Sequence, residues 1–236
     1  MTETNAVVFD LYGTLIEDFP FDRLQDVLGV IARQFGIDEE TYRKEWERIY
    51  PAHELGGPPS IKEMIFQTCE QLGINPSDCS VSAASSTIQR FYISTLIPRD
   101  ESYETLRLLK SRSIGIGMVS NAPPAVPKVW YTMALSRFVD VSVFSCEVKV
   151  RKPSKEIYEL VAWKLKVPTN AVLFVGDGGN YELRGAREAG MKAILLRFHN
   201  GERLDPYGLF EESRTWTGFI IRDLQQVFDH LGENAE

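Results

Sequence analysis

Four short apolar runs, at Ala6–Phe9, Ile114–Ser120, Ala171–Gly176 and Lys192–Leu196, constrain the fold of this chain more than any other feature. Each is too short for a buried helix and ends in small or polar residues, the pattern of strands covered on both faces. Helical periodicities separate them. Asp100 is placed to cap a helix carrying Tyr103, Leu106 and Leu109, and Ser154 to cap one with Ile157, Leu160, Val161 and Leu165 on one face. The stretch from Leu183 to Gly190 reads as a short helix closed by glycine. Strands alternating with helices predict an α/β fold built on a doubly wound parallel sheet.

Residues 17–95 break the rhythm, with several amphipathic helices and no convincing strand. Leu24, Val27, Leu28, Ile31 and Phe35 follow helical spacing after Asp22, and Tyr42, Trp46, Ile49 and Tyr50 do so again. Ser60-x-x-Glu63 is a capping-box pattern ahead of Ile61, Ile65, Thr68, Cys69 and Leu72. The segment Gly56-Gly-Pro-Pro-Ser60 is the loop before that helix. The expected organisation is an α/β core of residues 1–16 and 96–236, with a helical cap of residues 17–95 inserted after the first strand. Placed there, the cap hangs over the strand ends as a lid that excludes water and selects substrates.

Composition narrows the function classes. At 44% hydrophobic and 25% charged, the 236 residues have the balance of an ordinary globular protein. A net charge of −7 argues against a nucleic-acid partner. Cys69, Cys79 and Cys146 are odd in number and share no Cys-x-x-Cys spacing, which argues against structural zinc or a disulfide framework. No apolar run reaches the ~18 residues of a membrane span, so no membrane partner is expected. With no basic-then-apolar leader before the first strand, the expected location is cytoplasmic.

Chemistry-bearing residues fall at the predicted strand ends. Asp10 closes the first strand and leads through Gly13 to Thr14; Ser120-Asn121 follows the second. Lys152-Pro153 precedes the Ser154 helix, and the third strand runs into Gly176-Asp177, Glu182 and Gly185-Ala186. Strand ends on one edge of a parallel sheet converge. Their pocket would hold a carboxylate nucleophile, a hydroxyl donor, a cation and two further acids, a set suited to attack on an anionic centre.

Asp10-x-x-Gly13-Thr14, Ser120-Asn121, Lys152-Pro153 and Gly176-Asp177-x-x-x-x-Glu182-x-x-Gly185-Ala186 occur in the order of the haloacid dehalogenase-like superfamily, which the chain resembles over nearly its whole length. The resemblance implies a Rossmann-like core, and a cap at residues 17–95. It also implies that Asp10 is the nucleophile forming a covalent aspartyl intermediate. Ser120 would bond the transferring group, and Lys152 would balance the charge of nucleophile and substrate. Asp177, the Asp10 carboxylate and the Tyr12 carbonyl would hold Mg²⁺, a hard cation that takes oxygen ligands, with Glu182 in support. Thr14 and Asn121 complete the candidate catalytic set. Tyr12 and, from the cap, Arg43 are the candidate substrate-binding residues, and the substrate is expected to be a small anionic molecule.

Other residues carry blander expectations. Of the basic cluster Lys149, Arg151 and Lys152, Lys152 is expected to point inward. Tyr42, Trp46 and Tyr50 are expected to pack the cap rather than clamp substrate. His53, His199 and His230 show no partner spacing, and residues 199–215 read as a surface loop.

Tyr12 divides two chemistries. Most phosphatases of the superfamily carry a second aspartate there, which protonates the leaving oxygen and then activates water. Such acid/base catalysis contributes ~10²–10⁴-fold, roughly 3–5 kcal/mol of barrier. Tyrosine, with a pKa near 10, is a poor replacement. The 2-haloacid dehalogenases of the superfamily do carry tyrosine, and halide leaves without a proton. They place Ser and Asn where this chain has Asp177 and Gly179, however, and work without a metal. Two carboxylates ~4 Å apart repel by roughly 4 kcal/mol at an effective dielectric near 20, and bound Mg²⁺ relieves that repulsion. The sequence therefore reads as a Mg²⁺-dependent phosphatase working through an aspartyl phosphate and lacking its usual general acid. It is expected to favour acyl or aryl leaving groups. A 2-haloacid dehalogenase with an ester on Asp10, and a catalytically weak ligand-binding or regulatory protein, are the alternatives.

Overall fold

A computed structural model describes residues 4–198 and 208–232. Its centre is β1 (Ala6–Phe9), which pairs in parallel with β2 (Gly115–Ser120) on one side and β4 (Val172–Gly176) on the other. Beyond β2 lies β3 (Val141–Phe144), and beyond β4 lie β5 (Lys192–Leu196) and β6 (Phe219–Ile221). The order β3-β2-β1-β4-β5-β6 is that of a doubly wound parallel sheet. The chain moves outward from β1 to β3, then crosses back to β4. The carboxyl ends of β1 and β4 therefore flank the switch point, where ligands of such sheets bind.

Alternate residues of the strands serve opposite faces. Val7, Phe9, Ile116, Met118, Leu173 and Val175 pack with Leu106 and Leu109 of α5 (Ser102–Ser111) and with the cap. Ala6, Val8, Val119, Val172 and Phe174 pack beneath α8 (Lys155–Leu165) and α9 (Glu182–Glu188). The α5 and α8 helices form where periodicity predicts, but neither predicted cap is made. Glu101 holds the N-cap position of α5, and Ser154 donates its hydroxyl to Glu156. Tyr103 is exposed, so the buried face of α5 rests on its leucines.

Residues 17–95 hold α1 (Phe21–Gln34), α2 (Glu39–His53), α3 (Ile61–Gln71) and α4 (Asp78–Thr95), and no strand. The Ser60 hydroxyl caps α3 as expected, accepting from Glu63 N at 3.2 Å and donating to the Glu63 carboxylate at 2.7 Å. Leu24, Leu28, Ile31, Met64, Ile65 and Ile88 join the same apolar cluster as Phe9 and Met118, so the cap packs continuously onto the core. The two connecting segments pair where they pass: Glu17 N donates to the Ile97 carbonyl at 2.9 Å and Arg99 N to the Leu15 carbonyl at 3.2 Å. Arg99 also binds Glu17 and Asp18, at 3.2 and 2.9 Å.

Among the smaller helices, α6 (Ala125–Trp130) and α7 (Ser145–Val148) flank β3 in sequence, and α10 (Glu211–Thr215) precedes β6. Of the expected 199–215 loop, residues 199–207, with His199, lie outside the described residues, and α10 makes the rest more than loop. Among the described residues no helix is long and apolar enough to cross a membrane.

Candidate active site

Asp10 sits one residue beyond β1, where its N–H still bonds the Val175 carbonyl at 2.9 Å. That bond holds the buried carboxylate over the sheet edge. Lys152 meets it from the loop ahead of α8, donating to Asp10 and, at 2.5 Å, to Glu182 Oε2. Asn121 clamps the lysine's backbone at both ends. Its Oδ1 accepts from Lys152 N at 2.8 Å, and its Nδ2 donates to the Lys152 carbonyl at 3.0 Å. Asn121 thus acts by holding Lys152, and Ser120 beside it is buried and faces the same cavity.

The β4 end supplies the remaining acids. Asp177 Oδ1 accepts from Gly179 N at 2.9 Å, and Glu182 Oε1 from Gly178 N at 3.0 Å. Tyr158 donates its hydroxyl to the Glu182 carbonyl at 2.8 Å. Gly185 brings α9 against the lysine loop: a Cβ there would lie 2.5 Å from the Pro153 carbonyl oxygen. Oxygens of Asp10, Asp177 and Glu182 lie within 4.8 Å of one another. Burial raises the Asp10 pKa, Lys152 opposes the rise and Asp177 adds to it; burial, followed by the Asp10 charge, raises Glu182 further. Burial also works against the Lys152 charge, but Asp10 and Glu182 outweigh it and keep the ammonium protonated. Among the described residues three acids cluster beside Lys152, and oxygens are the ligands Mg²⁺ prefers, so the donor set fits that ion. Both Glu182 oxygens are already engaged, which suits it to support rather than direct ligation.

A cavity of about 310 Å³ lies between these residues and the cap. Asp10, Ser120, Asn121, Lys152, Asp177 and Glu182 line the core side; Phe19, Leu24, Leu28, Trp46, Tyr50 and Tyr92 line the other. The packing role expected of the cap aromatics suits Tyr42, which is buried outside the cavity and stacks on Trp46 with centroids 6.4 Å apart. Trp46 and Tyr50 pack in the same apolar cluster and also line the cavity.

Of three further candidates, Tyr12 lines the cavity and Thr14 and Arg43 do not. Thr95 spends its hydroxyl proton on the Tyr92 carbonyl, so Tyr12 donates to Thr95 Oγ1, at 2.8 Å. Burial raises the phenol well above its ordinary pKa, outweighing the Thr95 bond. Thr14 is buried in the turn after Asp10, away from the cavity lining, and its hydroxyl has no partner among the described residues. Arg43 does not reach the cavity either. Its guanidinium is spent on the Gln25 carbonyl at 3.1 Å and on Glu39 at 2.9 Å, tying α2 to α1.

Sequence reasoning missed Glu54 and Arg151. Both line the cavity, and Arg151 Nη1 donates to Glu54 Oε2 at 2.9 Å. The Glu54 backbone is pinned as well. Ser145 donates to its carbonyl at 2.6 Å, and the same Ser145 hydroxyl accepts from Ala122 N at 3.0 Å, next to the Ser120-Asn121 pair. Two residues on, Gly56 adopts φ +81°, and a Cβ there would lie 2.4 Å from the Cys146 carbonyl. Only glycine permits that backbone approach. The sequence signal was Gly56 itself, together with the basic residue next to Lys152.

A family model for haloacid dehalogenase-like hydrolases matches residues 4–190. The chain belongs to that family. Its relatives include an (S)-2-haloacid dehalogenase of Pseudomonas sp. (strain YL), 24% identical, with the match covering 100% of this chain and 99% of the relative. A phosphoglycolate phosphatase of Escherichia coli is 28% identical over 86% of each chain. The crystal structure of a 2-haloacid dehalogenase from Pseudomonas syringae superimposes with a TM-score of 0.70 at 22% identity, covering 97% of this chain and 98% of that one. The enzyme is therefore a hydrolase of this family, and both branches of its chemistry occur among the relatives.

Proposed function

We propose that the chain is a Mg²⁺-dependent cytoplasmic phosphatase acting on a small phosphorylated metabolite through an aspartyl phosphate on Asp10. The observation that carries this reading is the clustering of Asp10, Asp177 and Glu182 within 4.8 Å, with Lys152 paired to Asp10 and Glu182. A haloacid substrate brings one more negative charge and no cation to balance the cluster. Phosphoryl chemistry would use a cation held by these acids, which would balance the cluster.

Asp10 and Asp177, with the Tyr12 carbonyl, would hold Mg²⁺, which would screen the incoming phosphoryl oxygens. Asp10 is then positioned to attack phosphorus. Lys152, fixed by Asn121, stabilises the charge accumulating between nucleophile and phosphoryl group, and the Ser120 hydroxyl bonds one of its oxygens. The cap covers the reaction with an apolar roof, which excludes water from the nucleophile.

Hydrolysis of p-nitrophenyl phosphate tests the reading. Activity should require Mg²⁺, fall to background with EDTA, and vanish in Asp10→Asn. Tyr12 and the dehalogenase relatives favour a second reading, hydrolytic dehalogenation through an ester on Asp10. Halide release from a 2-haloacid, indifferent to EDTA and lost in Asp10→Asn, would establish it in place of the first.

A further inference from the structure

Attack by Asp10 on an alkyl phosphate leaves an alkoxide that needs a proton, and position 12 does not provide one. The Tyr12 hydroxyl donates to Thr95, and burial makes it a weaker acid still. Among the described residues, five carboxylates line the cavity. Asp10 is the nucleophile, Asp177 and Glu182 belong to its charge cluster, and Glu47 is an exposed residue bonded to Gln25 at 3.3 Å. The fifth is Glu54, on the cap side, with its side chain 15% exposed. It is held to the core at two points, through its carbonyl by Ser145 and through Oε2 by Arg151.

We propose that Glu54 is the general acid and base of this enzyme, supplied by the cap in place of the carboxylate missing at position 12. The assignment rests on the phosphatase reading above. As Asp10 forms its bond to phosphorus, the bond from phosphorus to the ester oxygen breaks, and the departing oxygen takes its electron pair together with the Glu54 proton. In the second half, the Glu54 carboxylate takes a proton from water as that water attacks phosphorus. The bond to Asp10 then breaks, releasing phosphate and restoring both carboxyl groups to their starting forms. Burial supports the role by raising the Glu54 pKa, opposed by Arg151 and Lys152. The other titratable groups near it are Tyr50 and Tyr92 from the cap and Cys146 from α7.

Leaving-group dependence separates an acid from a residue that merely seats the cap. With Mg²⁺ present, Glu54→Gln should lower kcat/KM on ethyl phosphate by ~10²–10⁴-fold, the range of a lost general acid. The kcat/KM on p-nitrophenyl phosphate, whose phenolate departs unaided, should fall far less, while kcat drops on both esters because the second half has lost its base. The variant should also lose the alkaline fall of the wild-type pH profile. Arg151→Met keeps the acid and removes the cation that lowers its pKa, so that fall should move to higher pH. Equal losses of kcat/KM on both esters in Glu54→Gln, or a wild type that hydrolyses only the aryl ester, would overturn the assignment of Glu54 alone. A wild type that hydrolyses neither ester with Mg²⁺ would overturn the phosphatase reading and the assignment with it.

Discussion

Replacing Lys152 with methionine tests whether the site is an electrostatic cluster in which one cation holds several acids together. The side chain is 4% exposed and contacts Asp10 and Glu182, so the substitution leaves apolar volume in place and removes only charge and hydrogen bonds. Three carboxylates then share a space in which their oxygens lie within 4.8 Å. At that separation each pair of charges repels by about 3.5 kcal/mol at an effective dielectric near 20. Protonation and repacking relieve part of this, and the loss of one partner of a buried ion pair typically costs about 3–5 kcal/mol. Urea unfolding without Mg²⁺ should show that loss as a lower midpoint at an unchanged slope. Asp10→Asn removes two of the three repelling pairs in either background, but only in the wild type does it also forfeit the attraction to Lys152. Asp10→Asn should therefore be more favourable in the methionine background than in the wild type by about 3 kcal/mol, a coupling expected only of groups in contact. Millimolar Mg²⁺ should stabilise Lys152→Met more than the wild type, because bound cation adds to stability by mass action. A loss under about 1 kcal/mol, or equal effects of Asp10→Asn in both backgrounds, would refute the cluster as the reason for Lys152.

Further expectations follow from individual contacts. Gly185→Ala drives a methyl group to 2.5 Å from the Pro153 carbonyl and 2.9 Å from its Cα, atoms that cannot rotate away. It should cost about 1–3 kcal/mol and lower turnover by displacing Lys152; an unchanged melting temperature would show that α9 yields freely. Tyr12→Phe removes the bond to Thr95 and should cost about 1 kcal/mol of stability with turnover nearly intact. A loss of turnover beyond ~10²-fold would instead make the phenol an acid–base group. His53 is buried, its Nδ1–H donates to the Pro58 carbonyl at 2.6 Å, and burial lowers its pKa. The unfolded chain therefore takes up the proton first as pH falls below about 6.5. Stability present above that pH is lost as pH drops through the lower folded value. His53→Gln should lack that part of the decline in melting temperatures between pH 7.5 and 5, and parallel curves would rule it out.

How far the fold could be read depended on burial. The central strands β1, β2, β4 and β5 are covered on both faces, so they stand out as unbroken apolar runs, and all four were predicted to within a residue. The edge strands were missed. In β3, Val141 and Val143 alternate with Ser142, a half-buried pattern broken by polar residues, and β6 has only three residues, with Phe219 and Ile220 exposed. Site residues followed the same logic. Asp10, Ser120 and Asp177 sit at strand ends, so topology alone brings them together. Cap residues are placed by tertiary docking. Tyr42 and Trp46 lie four residues apart on one buried face of α2, and only the fold shows that Trp46 alone of the two meets the cavity.

Glu54 is the extreme case, because nothing local marks it: it is a polar residue at the end of a helix until Gly56 lets the loop approach Cys146 and Ser145 captures its carbonyl. That dependence has a mechanistic consequence. A general acid at position 12 would be rigidly attached to the nucleophile and active in any cap position. With the acid on the cap, the leaving group is protonated only while residues 54–56 are docked against α7. The same contact places the apolar roof over Asp10, so protonation and the exclusion of water become one event. Ser145→Ala, which removes the bonds to the Glu54 carbonyl and to Ala122 N, should then slow alkyl phosphate hydrolysis more than aryl. An equal effect on both esters would show that docking matters only for closure.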